Sequence, residues 1–396
     1  MKKTLLIVLF CVSTTMLLAQ SVSKTMLLLP DTGQTKSYTA TFGEDNDYNI
    51  NVPSYTDNGN GTITDNVTGL MWQQTDGGEM TIENAITYCD NLTLAGYSDW
   101  RLPTPMEAFS ILNLQNVNPA INTTYFTLTT AEYWWTSVYQ AGDATKVWCT
   151  NAGGGIGNKP KSETISATGT FHYHARAVRN TNTPTTITNH FTDNGDETIT
   201  DNLTHLIWQK VPNTTALTWE QALSYAENLT LAGATDWRLP NIKELQSLNN
   251  ELATNPSVFT PYFSSLGVKK YWSSTTLKPN TTNPSSAWFW DTQFGLTSYD
   301  TKTNTDYVIC VRGMPTLAIN EAEHPSIKTV FPNPFKSTIN LKSATGNEKF
   351  QLYSNLGTLI YSGTAIEKQD FSGLKTGVYF LKISDKTTST IKLLKE

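Results

Sequence analysis

The chain has 396 residues, 38% of them hydrophobic, with 28 Lys and Arg against 34 Asp and Glu for a formal net charge of −6. An acidic balance of this kind lacks the cationic field that gathers nucleic acid, and no nucleic-acid partner is expected. Eleven Trp are the compositional excess that function has to account for.

The first residues read as an export signal. Lys2 and Lys3 precede the apolar run Leu5–Phe10, and Leu17-Leu18-Ala19 offers small-residue cleavage before Gln20. Ser13, Thr14 and Thr15 interrupt the run, so residues 1–19 form a signal peptide and not a bilayer-spanning helix. Cys11 lies inside the apolar region behind the bulky Phe10, a poor lipidation site. No other segment reads as transmembrane. A leader segment follows at 20–50.

The middle of the chain is written twice. TDNGNGTITDNVTGLMWQ (56–73) returns as TDNGDETITDNLTHLIWQ (192–209), and NLTLAGYSDWRLP (91–103) returns as NLTLAGATDWRLP (228–240). A spacing of about 137 residues is a duplicated domain, since solenoid units run to about 50. The copies span 51–180 and 191–313, with linkers at 181–190 and 314–325. Each opens on a β-hairpin: an Asp-Asn-Gly turn, an alternating Thr-Ile-Thr strand, a second turn and a strand ending in Trp72 or Trp208. A helix follows, with Ile82, Ala85, Ile86, Cys89 and Leu92 on one face behind Thr81, and Trp219, Ala222, Leu223, Ala226 and Leu229 behind Thr218. Trp-Arg-Leu-Pro then leads into a second helix. Thr104, Pro105 and Glu107 cap it in copy one; Asn241 and Glu244 do so in copy two. The second half of each copy is strand-like and aromatic. The fold class is therefore α+β.

From 326 to 396 the character changes to ten Lys against five acidic residues. Alternating apolar residues and Gly-bearing turns there predict a small β-sandwich. Val330-Phe331-Pro332-Asn333-Pro334-Phe335, Asn355-Leu356-Gly357, Leu374 to Leu381 with Gly377-Val378-Tyr379-Phe380, and Lys392-Leu393-Leu394-Lys395 occur in order. They resemble the type A carboxy-terminal sorting domain of the bacterial type IX secretion system. That resemblance implies passage through the periplasm, then delivery to the outer surface or medium by that machinery.

In the repeats, Asp-Trp-Arg-Leu-Pro, Tyr-Trp-[Thr/Ser]-Ser and the closing Val-Arg resemble the Lcl carboxy-terminal domain family, and Leu29 to Thr35 resembles its leader. The resemblance implies two tandem C-type-lectin-like domains, related in fold to sulfatase-modifying enzymes. The family's name-giving member is an adhesin for sulfated glycosaminoglycans. Copy one has six basic against eleven acidic residues and copy two eight against twelve, so that ligand is not expected here.

Candidate chemistry is sparse. Arg101 and Arg238 are expected to be structural, each paired with a carboxylate such as Asp99 or Asp236. Glu107 and Glu244 are explained as capping residues. Asp57-Asn58-Gly59-Asn60-Gly61 lacks the terminal bidentate carboxylate of a calcium loop, and copy two has Glu197 in place of Gly61, so it reads as a hairpin turn. His172 and His174 share a strand face without a third ligand, and no metal is expected. Mature Cys are Cys89, Cys149 and Cys310, an odd number, with Cys89 and Cys149 the pair that can bridge in an oxidising compartment. Family members carry Cys at the helix and final-strand positions, a pair that neither copy retains here. This disfavours the oxygen-activating chemistry of the related enzymes.

Aromatic residues remain. Trp135, Trp148, Trp272, Trp288 and Trp290 lie in the half that forms ligand sites in lectin-like folds, where an exposed Trp stacks on sugar. Core packing competes with that assignment, most of all for Trp135 and Trp272. The expected protein is secreted or surface-displayed, not an enzyme, without cofactor, and recognises a glycan or cell-surface ligand. The alternatives are an enzyme of the sulfatase-modifying fold and a structural envelope protein.

Overall fold

The computed structural model describes residues 21–165, 169, 172–278, 285–313, 329–342, 348–355, 358–384 and 388–396. The expected signal peptide at 1–19 and the linker at 314–325 lie outside the described residues. Strands occupy 37% and helices 13%, so the architecture is mostly β, compatible with α+β.

The leader opens with β1 (Val22–Lys24). Copy one contains β2 (Tyr55–Asp57), β3 (Thr62–Asp65), β4 (Leu70–Gln73), α1 (Ile82–Asp90), α2 (Pro105–Ser110), β5 (Ala131–Gln140), β6 (Asp143–Asn151), β7 (Ile156–Pro160), β8 (His172–His174) and β9 (Val178–Asn180). The expected linker at 181–190 carries β10 (Thr185–Ile187), which pairs antiparallel with β1. Copy two contains β11 (Phe191–Asp193), β12 (Thr198–Asp201), β13 (Leu206–Gln209), α3 (Trp219–Asn228), α4 (Ile242–Ser247), α5 (Thr260–Phe263), β14 (Lys270–Thr276), β15 (Ser286–Asp291), β16 (Leu296–Thr301) and β17 (Val311–Gly313). The tail contains β18 (Thr329–Phe331), β19 (Asn340–Lys342), β20 (Lys349–Ser354), β21 (Leu359–Gly363), β22 (Gly377–Ser384) and β23 (Thr388–Lys395).

The two copies repeat one topology. The sheet β2-β3-β4-β9 is matched by β11-β12-β13-β17, and β7-β6-β5 by β16-β15-β14. In each copy the last strand returns beside the third, so the domain's two ends meet in one sheet. Among the described residues, copy one adds β8 as a parallel strand against β5, whereas copy two has a bridge there, Tyr271 to Tyr307.

Local chemistry explains the elements. Thr104 and Asn241 each accept from the N–H of the Glu three residues on, and Glu107 and Glu244 accept the cap residue's own N–H in return. Asp57 Oδ1 accepts the Gly59 N–H at 2.8 Å, and Asp193 Oδ1 accepts the Gly195 N–H at 3.0 Å. The segment is thus a side-chain-braced hairpin turn, as expected. Gly61 has φ 82, and Glu197 holds the same left-handed region at φ 68. Copy two therefore keeps the turn at the cost of about 1 kcal/mol of backbone strain.

Each copy has its own core. In copy one α1 packs Ile82, Ala85 and Cys89 against Trp100, Trp135 and Tyr173; in copy two α3 packs Trp219, Ala222 and Ala226 against Trp237, Trp272 and Phe289. A third cluster joins the copies, with Phe109, Leu112, Leu114 and Trp148 of copy one against Ile242, Leu245, Trp288 and Trp290 of copy two. The leader is stitched into that seam. Lys243 Nζ, fully buried, donates to the carbonyls of Asp31 at 2.8 Å and Ser110 at 2.7 Å, tying leader, α2 and α4 together. Burial pushes its amine down to about 8, while Asp31, Asp65 and Asp45 pull it upward.

The tail has its own core of Phe335, Ile339, Phe350, Leu352, Leu381 and Leu393 between a four-stranded and a two-stranded sheet. It touches the rest of the chain where Phe380 stacks on Phe42 of the leader and Lys392 approaches Glu227 of α3 at 3.9 Å. Among the described residues no helix is long and apolar enough to cross a membrane.

Candidate functional site

The residues repeated in both copies build scaffold. Arg101 forks onto Glu107 through two bonds of 2.7 Å, and Arg238 onto Glu244 at 2.7 and 2.5 Å. The expected partners Asp99 and Asp236 are taken instead by the closing-strand Arg179 and Arg312, each at 2.7 Å. The reason is geometric. Arg101 and Arg238 pair backbone-to-backbone with Val178 and Val311, so they sit over the first turn of the following helix, where Glu107 and Glu244 already point.

The tryptophan assignment is corrected by burial. Trp135, Trp272 and Trp290 are 0% exposed, Trp148 1% and Trp288 4%. Trp135 and Trp272 use their indole N–H groups on the carbonyls of Met80 and Leu217. Trp148, Trp288 and Trp290 fill the seam between the copies. No sugar can stack on a ring without an open face. Docking of one copy on the other covers a surface that a single copy would leave bare.

Cys89, Cys149 and Cys310 are buried free thiols, and the pairing of Cys89 with Cys149 is not formed. Burial pushes the Cys89 and Cys149 thiols up to about 12, away from thiolate chemistry.

His174 is buried and its Nδ1 lies 2.8 Å from Asp76 Oδ1. Asp76 also accepts from the Trp134 indole at 3.0 Å and Thr129 at 2.7 Å, with Arg176 at 3.5 Å. Burial alone would raise this carboxyl; the hydrogen bond from His174 and the Arg176 charge outweigh it and hold it at about 2. His172 turns outward onto Glu79 at 2.5 Å. The two imidazoles thus have separate carboxylate partners. Among the described residues no group of His, Cys, Asp and Glu could hold a metal ion.

A site that these sequence patterns do not announce lies where the leader crosses copy two. A cavity of about 490 Å³ opens there. One wall is the leader, with Val22, Lys24, Met26 and Leu29; another is the β12–β13 turn, with Leu203 and Thr204. The end of α4 and the segment after it supply Gln246, Asn249, Glu251 and Leu252; His190, Asp201 and Phe259 add to the copy-two side, and Thr104 and Met106 of copy one also line it. His190 is 8% exposed, stacks on Phe191 with centroids 3.9 Å apart, and leaves Nε2 without a hydrogen-bond partner. Gln246 Oε1 and Asn249 Nδ2 are likewise buried and unpaired. Glu251 is partly buried, and burial pushes its carboxyl up to about 7 with only its own backbone N–H opposing.

The signal that could have found this cavity is a comparison of the copies at the offset of Trp100 and Trp237. Gln246 then stands where copy one has Phe109, Asn249 where it has Leu112, and Glu251 where it has Leu114. Those three copy-one residues are core, 0 to 2% exposed. Copy two has exchanged an apolar helix end for a polar wall.

A model of the secretion system C-terminal sorting domain matches residues 329–396. By that match the protein is exported through type IX secretion to the cell surface or medium. No curated protein matches the chain. The model of the Lcl C-terminal domain matches twice, over residues 61–179 and 197–312. These matches cover more than half of the chain and coincide with the two copies of one topology, and the protein belongs to the Lcl C-terminal domain family.

Proposed function

We propose that this is a surface-displayed recognition protein, not an enzyme, that takes a glycan segment in the cavity between leader and copy two and serves adhesion or ligand capture. The cavity is the observation that carries it. Its volume lies within the roughly 300–1,000 Å³ of small-molecule sites. Apolar groups (Val22, Met26, Leu203, Phe259) and hydrogen-bonding groups (Thr204, Gln246, Asn249) share its wall. A saccharide presents the same mixture, with apolar C–H faces and a rim of hydroxyls. Each copy, with helices set between a sheet's first three strands and the last strand that returns to the same sheet, supports the C-type-lectin-like assignment within this proposal.

A glycan array probed with the full chain tests it. Leu203→Trp, which puts an indole into the cavity from a partly exposed turn, is expected to abolish binding while leaving thermal stability within about 0.5 kcal/mol. An empty array, or binding that Leu203→Trp leaves intact, defeats the proposal.

A further inference from the structure

The main sheet of the sorting tail has two faces, and the signature residues divide between them. Alternation along β22 sends Tyr379, Leu381 and Ile383 into the tail's own core and puts Val378, Phe380 and Lys382 on the opposite side, outside that core. Lys392 of β23 stands directly across from Phe380. The body covers this outer face. Phe380 is 2% exposed, its ring stacked on Phe42 of the leader with centroids 3.6 Å apart and planes 24° from parallel. Lys392 Nζ donates to the Glu227 carbonyl near the end of α3 and lies 3.9 Å from the Glu227 carboxylate. Lys382 lies in the field of Asp47 of the leader. Asn355, Val378 and Phe380 face Thr41, Phe42 and Ser224 across a gap of about 180 Å³. Net charge favours the contact, because the tail has ten Lys against five acidic residues and both copies are acidic. Asn355, Phe380 and Lys392 come from three of the four sorting stretches, and each is turned toward the body.

Phe380 and Lys392 belong to the sorting pattern, yet the core of the sorting domain does not use them. Their side chains are therefore free to meet another protein. We infer that this outer face, with Phe380 as its aromatic contact and Lys392 as its cationic one, is the surface by which the tail engages the type IX secretion machinery, and that the folded body occupies it first, so that docking on the body and engagement by the machinery exclude each other. The surface that fits on the machinery is of the kind that leader and α3 present here, an apolar ring beside a carboxylate. Engagement then scales with the undocked fraction of the tail. This reading is independent of any ligand in the cavity.

Phe42→Ala and Asn228→Arg weaken docking from the body side, on two different elements, and leave the tail's sequence intact; Asn228 is exposed and lines the same gap. In the purified full chain, acylation of Lys392 by an N-hydroxysuccinimide ester is read against the exposed Lys349. Phe42→Ala is expected to raise that ratio at least about fivefold, the worth of one aromatic stack, and Asn228→Arg is expected to raise it as well. In cells, pulse-labelled chains carrying either change are expected to pass from periplasm to surface with a half-time at least about threefold shorter. Phe380→Ala removes the contact for body and machinery alike, and is expected to raise Lys392 acylation while slowing export below that of the unaltered chain. Acylation that neither body variant raises overturns the inference, because the tail is then not held by this face. Export that is no faster in both body variants overturns it, as does Phe380→Ala exported as fast as Phe42→Ala, because the machinery then does not use the covered face.

Discussion

The duplicated Arg–Glu fork is an internal control on the energetics of buried charge. Both forks have the same chemistry and nearly the same bond lengths, 2.7 and 2.7 Å against 2.7 and 2.5 Å. They differ in water. The Arg101 side chain is 32% exposed over a fully buried Glu107, whereas Arg238 and Glu244 are each 5% exposed. Arg238→Leu strands a carboxylate in the interior with only the Asn241 N–H for company, and is expected to cost about 4 kcal/mol, within the 3–5 kcal/mol range for one broken buried pair. Arg101→Leu leaves Glu107 open to water through the space vacated by the exposed guanidinium, and about 2 kcal/mol is expected. Arg238→Leu with Glu244→Leu removes both charges and is expected to cost only about 1–2 kcal/mol, chiefly the lost helix cap. Urea unfolding at pH 7, read as midpoint times slope for the three variants, orders them. If Arg101→Leu costs as much as Arg238→Leu, or the double variant costs more than the single one, solvent access does not set these energies.

Glu251 has its folded carboxyl raised from 4.5 to about 7, so its stabilising contribution is full below pH 4.5 and fades as pH rises through 7. Glu251→Gln is expected to gain about 1–2 kcal/mol at pH 8, less than the full shift because the group is partly exposed, and nothing at pH 4. A gain that does not depend on pH refutes the assignment. Asp76, lowered from 3.8 to about 2, contributes stability that is present above pH 3.8 and lost as pH falls through 2. Asp76→Asn is expected to cost about 3 kcal/mol at neutral pH by stranding Arg176, and the variant should lose the acid transition of the unaltered chain in thermal melts. With three buried free thiols, the native protein should resist a thiol reagent at pH 8, and three thiols should react on unfolding without reductant; a count of one would show a disulfide. Deleting 326–396 is expected to hold the protein in the periplasm, and unchanged surface delivery of the truncated chain would remove the role assigned to the sorting domain.

Local interactions made much of the fold legible. Helix caps at Thr104 and Asn241 need only residues three apart, hairpin turns at Asp57 and Asp193 only two, and apolar spacing marks the buried faces of α1 and α3 without knowledge of their partners. Duplication and the sorting tail are equally properties of residue order. What tertiary structure alone decided depends on surfaces that meet from far apart. Trp148, Trp288 and Trp290 carry the aromatic pattern of a ligand platform, and only the packing of copy one on copy two turns them into core. Arg101 has an acidic residue two positions away and another six away, and the pairing of its backbone with Val178 selects the more distant one. Glu251 looks like an ordinary surface carboxylate in sequence. It becomes a cavity-lining group with a raised carboxyl pKa because the leader, more than 200 residues earlier, closes one side of the cavity that Glu251 helps to line, and because burial makes its ionised form costly.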